Sequence, residues 1–208
     1  MDTLKAPFPW FGGKSRVASL AWDRFGDVPN YVEPFAGSLA VLLGRPNEPS
    51  IETVNDKDCF LANFWRALSA EPDEVAHYAD WPVNEADLSA RHQWLVNREE
   101  FRERMKTDPE YYDPKIAGWW VWGLCSWIGG GWCSGKSSWG GEFKDGRLCH
   151  ERMPHLGNAG QGVHRQMPHI GDAGQGVHRK LPHLGDAGQG LRDYLCALAE
   201  RLRRVRVC

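Results

Sequence analysis

Apolar and polar positions change period several times along the chain, and each change marks a predicted element. Asn30 to Glu33 is a short extended start. Pro34-Phe35 and the small residues Ala36, Gly37 and Ser38 follow, and then the apolar run Leu39-Ala40-Val41-Leu42-Leu43. That order predicts a strand, a tight loop and a helix. Small side chains let a ligand approach the loop backbone closely, and a helix starting there would aim its first N–H groups at the ligand. The pattern is that of a nucleotide-type cofactor loop. A second strand is predicted over Ile51–Asp56, ending in Asn-Asp, and a helix from about Asp58 to Leu68, where Phe60, Leu61, Phe64, Trp65 and Leu68 have helical spacing.

Ahead of the first strand, two prolines keep residues 4–10 out of a helix. Gly12-Gly13 then permits a turn, and a helix is predicted from Lys14 to about Trp22. After Pro72 the period becomes helical, with helices over 72–79, 84–106 and 113–128. The last of these carries Trp119, Trp120, Trp122 and Trp127, expected as core. Residues 129–146 are rich in Gly and Ser and read as a flexible loop or a hairpin region. A helix over 191–203, with Leu191, Leu195, Leu198 and Leu202 on one face, leads into the opening of a strand at 204–208.

An internal repeat of 14 residues fills 153–190: Met153-Pro154-His155-Leu156-Gly157 recurs at Met167 and Leu181, each time followed by Asn/Asp-Ala-Gly-Gln-Gly. Few apolar side chains and many helix breakers per unit predict a tandemly copied loop, not a packed solenoid. His155, His164, His169, His178 and His183 could ligate a metal, but copying of one loop accounts for them more simply, and no metal site is assigned. Between Arg147 and Arg192 basic residues exceed acidic ones by three. That suits either a loop following a phosphate backbone or a merely solvated one.

Composition narrows the picture only a little. The 208 residues carry a net charge of -2 with 42% hydrophobic positions, so the chain is not a general polyanion magnet and can bury a core. Six scattered Cys without a C-x-x-C pair predict free thiols and a reducing cytoplasm. No apolar run approaches the roughly 18 residues of a membrane span, so no membrane partner is expected. Gly12-Gly13-Lys14-Ser15 invites a P-loop reading, but the spacing to the first glycine is wrong and no strand precedes it. An acidic residue closing the second strand, Asp56, sits where a carboxylate catches a ribose hydroxyl pair in such folds.

Together Pro7-Phe8-Pro9-Trp10-Phe11-Gly12-Gly13-Lys14, Tyr31-Val32-Glu33-Pro34-Phe35-Ala36-Gly37-Ser38 and Val54-Asn55-Asp56 resemble, in order and separation, the Dam-type S-adenosylmethionine-dependent DNA adenine-N6 methyltransferases. The resemblance implies an α/β fold, a partial Rossmann-like methyltransferase sheet with a mainly helical DNA-recognition insertion. It implies S-adenosyl-L-methionine as cofactor and double-stranded DNA as partner. Trp10 and Lys14 would line the cofactor pocket. Phe35, Ala36 and Gly37 would lie beneath the methionine portion, Asp56 would hold the ribose, and Glu33 and Pro34 complete the cofactor-binding set. Residues 1–70 would form the cofactor-binding part, 71–149 the target-recognition insertion, 150–190 the repeat loop, and 191–208 the return to the sheet.

The sequence departs from that family's pattern at two places. Leu39 stands where a second glycine is usual, which is expected to tilt the loop or weaken cofactor affinity. The catalytic Asp/Asn/Ser-Pro-Pro-aromatic motif is absent, since the 208 residues contain no Pro-Pro pair. Asp108-Pro109-Glu110-Tyr111 lacks the second proline and does not follow an apolar strand, so no catalytic residue is assigned. The expectation is therefore the N-terminal part of such an enzyme, inactive or nearly so alone, whose catalytic strand would come from a C-terminal companion fragment or continuation. A non-catalytic DNA- or cofactor-binding remnant, a metal-binding repeat protein and a small-molecule methyltransferase are the competing readings. The Trp-rich helical insertion argues against the last.

Overall fold

The computed structural model describes residues 4–8, 10, 13–127, 132–133, 141–144, 147–150 and 190–208. The repeat with its five histidines, and Pro9, Phe11 and Gly12 of the first motif, lie outside the described residues. A single 3-10 turn, Lys14–Arg16, leads into α1 (Ala18–Phe25). Then come β1 (Asn30–Glu33), α2 (Ala40–Leu43), β2 (Ile51–Val54), α3 (Cys59–Ala70), α4 (Pro72–Ala79), α5 (Glu85–Val96), α6 (Glu99–Thr107) and α7 (Pro114–Ser126). An antiparallel hairpin of β3 (Gly141–Lys144) and β4 (Arg147–His150) precedes α8 (Leu191–Leu202) and β5 (Val205–Val207).

The chain is of mixed α/β character. Its main sheet has the order β1-β2-β5, all parallel, with Tyr31 beside Glu52 and Glu52 beside Val205. Side chains alternate across the strands. Tyr31, Glu33, Glu52, Val54 and Val205 are buried, whereas Val32 and Ile51 on the opposite face are 58% and 53% exposed. Parallel sheets are normally covered on both faces. Among the described residues helices cover only one, and β1 pairs on one edge alone.

Polar side chains set where the helices begin. Asp58 caps α3 by accepting from Phe60 N and Leu61 N, and Asn84 and Asp113 cap α5 and α7 in the same way. Buried Asn63 exchanges two hydrogen bonds with the Asp113 main chain, at 3.0 and 2.7 Å, and so ties α3 to the start of α7. Gly118 lets α7 close on α4, because a Cβ there would lie 2.4 Å from Tyr78 Cβ. Trp120 and Trp122 are core, as their apolar surroundings predict, while Trp119 and Trp127 are half-buried.

Several boundaries differ from the sequence reading. The single helix predicted over 84–106 is two helices. Asn97 ends α5, and Arg98 leaves the helical region with φ -87° and ψ 75° before Glu99 and Glu100 start α6. The second strand stops at Val54, so Asn55 and Asp56 are loop residues. The helix after the cofactor-type loop is one turn long, too short to present a helix N-terminus to a ligand.

Leu39 has φ 54°, a left-handed backbone, and its side chain is 0% exposed, pointing into the core and away from the loop surface. The side chain itself is therefore part of the core, and any effect on the loop would act through this left-handed backbone. Leu39→Gly should relieve about 1–2 kcal/mol of backbone strain while losing about 2–5 kcal/mol of core packing. Net destabilisation in a urea titration is the expected result, and a gain in stability would show that strain dominates.

Candidate functional site

The residues singled out from the sequence converge at the C-terminal ends of β1 and β2, where parallel α/β sheets place their ligands. Two main-chain bonds join the strand ends, Asn55 N to Glu33 O and Ala36 N to Asn55 O, both at 2.9 Å. Asn55 Nδ2 adds a third, to Pro34 O at 3.0 Å. The loop is therefore a fixed bridge, not a free strap.

Gly37 is its centre. With φ 55° it takes a backbone conformation that favours glycine. A Cβ on Gly37 would lie 2.8 Å from Trp10 Nε1, so the indole lies directly against the glycine. Gly37 N donates to Asp56 Oδ2 at 2.9 Å, and Gly37 O accepts from Trp65 Nε1 at 3.0 Å. Asp56 Oδ1 also accepts from Asp58 N at 3.1 Å, linking the loop to the start of α3. Each carboxylate oxygen then keeps acceptor capacity, since an ionised carboxylate offers about four lone-pair sites.

Behind the loop an aromatic cluster holds Trp10 in place. The Phe8 ring lies 5.9 Å from Trp10, 5.6 Å from Trp65 and 5.4 Å from both Phe64 and Trp120. Beside the loop, the Lys14 ammonium ion-pairs with Glu33 and donates to Phe35 O. The Glu33 carboxylate is buried and also accepts from Tyr31 OH at 2.9 Å. Burial, and then the Glu33 charge, push the Tyr31 hydroxyl far above its ordinary range, so it stays a donor. Glu33 thus acts on Lys14 and Tyr31 from beneath the loop.

Of the eight residues expected at the site, Trp10, Lys14, Glu33, Gly37 and Asp56 are brought together through their own contacts. Pro34 and Phe35 are exposed at the rim, Phe35 at 78%, and Phe35 joins through its carbonyl. The Ala36 side chain is buried in the core. Sequence reasoning missed Trp65, Tyr31 and Asn55 as supports. Trp65 looks like any apolar helix position, and only its indole N–H distinguishes it from Phe64. Asn55 was visible as half of the Asn-Asp strand ending.

Among the described residues, no helix is long and apolar enough to cross a membrane. Among the described residues Cys59, Cys133, Cys196 and Cys208 are free thiols. No curated protein and no solved structure matches the chain. Residues 10–119, just over half of the chain, match the family model described as D12 class N6 adenine-specific DNA methyltransferase. That span contains the strand-loop-strand site, Lys14, Asp56 and the helices through the first turns of α7, and on it the chain belongs to the D12 class of N6 adenine-specific DNA methyltransferases.

Proposed function

We propose that the chain binds S-adenosyl-L-methionine at the Gly37 loop and contributes the cofactor-binding and target-recognition parts of a DNA adenine-N6 methyltransferase. The observation that carries this reading is the meeting of Trp10, Gly37 and Asp56 at the ends of β1 and β2. The site fits the cofactor in three ways. A glycine whose Cβ would collide leaves the backbone open to close approach. An acidic side chain with free lone pairs stands at the second strand end, where a ribose is held. An aromatic wall and a lysine flank the loop.

When bound, the cofactor supplies an electrophilic methyl group. Asp56 would accept from the ribose hydroxyls, Trp10 would wall the pocket, and Lys14, placed by Glu33, would meet a negatively charged portion of the ligand. Pro34, Phe35 and Ala36 would complete the loop. Double-stranded DNA is the partner, with the target adenine turned out of the stack before transfer. The helices after α3 would form the recognition insertion.

Transfer itself needs groups that hold the adenine amine, and the 208 residues contain no Pro-Pro motif to supply them. Among the described residues β1 has an open edge and the Val32/Ile51 face is bare, and such a segment would add there as a strand beside β1 with a helix over that face. The same absence favours a second reading, a non-catalytic cofactor- or DNA-binding remnant. Incubation with DNA and methyl-labelled cofactor, beside a direct titration of the cofactor, tests both. Saturable cofactor binding without label in DNA is the expected result. Label transferred by the chain alone would overturn the requirement for a further segment, and absence of cofactor binding would overturn the site.

A further inference from the structure

Arg91 on α5 is a buried cation with no hydrogen bond or ion pair among the described residues. The residue is 8% exposed, and its Nη1 is fully buried and makes no hydrogen bond. Three indoles enclose it instead. The guanidinium carbon lies 4.2 Å from the Trp122 ring centre, 5.1 Å from Trp119 and 5.4 Å from Trp81. Aromatic faces attract a cation but accept none of its five N–H donors in the way an oxygen does. Arg45, buried as deeply, shows the contrast: it reaches Glu52 and donates to Val28 O at 2.7 Å. The carboxylate one turn before Arg91, Asp87, forms no ion pair with it and is engaged by Asn84 Nδ2 at 2.6 Å.

The same wall carries two more cations. Lys115 Nζ lies 4.6 Å from the Trp119 ring centre and 5.0 Å from Trp94, and the Arg98 guanidinium lies 3.7 Å from Trp94. Trp94 and Trp119 meet edge to face at 4.9 Å. Neither Lys115 nor Arg98 has an ion-pair or hydrogen-bond partner for its charged end among the described residues, although Glu99 and Glu100 follow Arg98 in sequence. Cations and indoles therefore interleave along α5 and α7, and half-exposed Trp81 closes the row at the Arg91 end.

We infer that this row is a binding site for successive phosphates of a nucleic-acid backbone, with Arg91 as its preorganised, dehydrated anchor. A polyanion, unlike a single small anion, can use three cations held on one aromatic wall, and backbone contacts of this kind set register without reading sequence. The inference rests on the reading that the chain acts on double-stranded DNA.

The test is the salt dependence of binding of the full chain to a fluorescent non-target DNA duplex, with cofactor titration in parallel. Each lost phosphate contact should lower the slope of log K against log salt by about 0.9, hence by about 2.7 for combined Arg91→Met, Arg98→Ser and Lys115→Ser. Arg91→Lys should keep its share of the slope, and cofactor affinity should not change. If Arg91→Met unfolds the chain, the Arg98→Ser/Lys115→Ser pair carries the test, with an expected change of about 1.8. An unchanged slope with intact cofactor binding would overturn the phosphate row and leave the methyltransferase reading standing. A parent chain that binds the cofactor but not DNA would also overturn the row. A parent chain that binds neither would remove both.

Discussion

Glu52→Ala should destabilise the protein by about 3–5 kcal/mol, the usual cost of removing one partner from a buried ion pair. Glu52 lies on β2, 1% exposed, beneath the sheet's covered face. Arg201 of α8 grips it twice, Nη1 to Oε2 at 2.7 Å and Nη2 to Oε1 at 2.9 Å, and Arg45 approaches Oε1 at 3.3 Å. Arg201 also donates to Leu42 O at 3.2 Å. One carboxylate therefore joins the end of α2, the middle strand and α8. Its removal leaves two guanidiniums facing each other, with Arg45 almost wholly enclosed. Equilibrium denaturation measures the loss, and a change below about 1 kcal/mol, as for an exposed pair, would show that the triad is not coupled to folding. Glu52→Gln keeps the shape and should fall between the two.

Asp56→Ala should weaken S-adenosylmethionine binding by about 100-fold or more, because each hydrogen bond to a charged group contributes about 1.5–3 kcal/mol. Two effects act together. The ribose loses its acceptor, and Gly37 N and Asp58 N lose theirs, which releases the loop from α3. Asp56→Asn separates them, since the amide oxygen can still accept one main-chain bond but carries no charge. Calorimetric titration of the cofactor decides. Unaltered affinity in Asp56→Ala would reduce the residue to a loop fastener.

Much of this site could be read from the sequence because its positions are dictated by local chemistry. Small residues after a Glu-Pro, an acidic strand ending and a helix of regular apolar spacing each leave a local signature, and the strand, loop and α3 stand within two residues of expectation. What could not be read depends on contacts between distant residues. Trp65 serves the Gly37 carbonyl only because α3 runs behind the loop. The break at Asn97 and Arg98 interrupts a charge pattern that favours a helix throughout, and Arg102 Nη1 donating to Val96 O at 2.7 Å caps the end of α5. The burial of Leu39 could not be read either, because its side-chain direction depends on a left-handed φ that leucine seldom adopts. The Glu52 triad was invisible, since its partners are 7 and 149 residues away along the chain.

The placement of α4 has a consequence for the repeats. Both α7 and α8 pack against α4, so the two ends of the long connection between them are held by the same helix whatever lies in between. The closure entropy of such a connection grows only with the logarithm of its length. One further copy of the 14-residue unit, added to the stretch between Trp127 and Gly190, would cost about 0.2 kcal/mol by that scaling. By that closure cost alone, a change in copy number alters the connection between α7 and α8 very little.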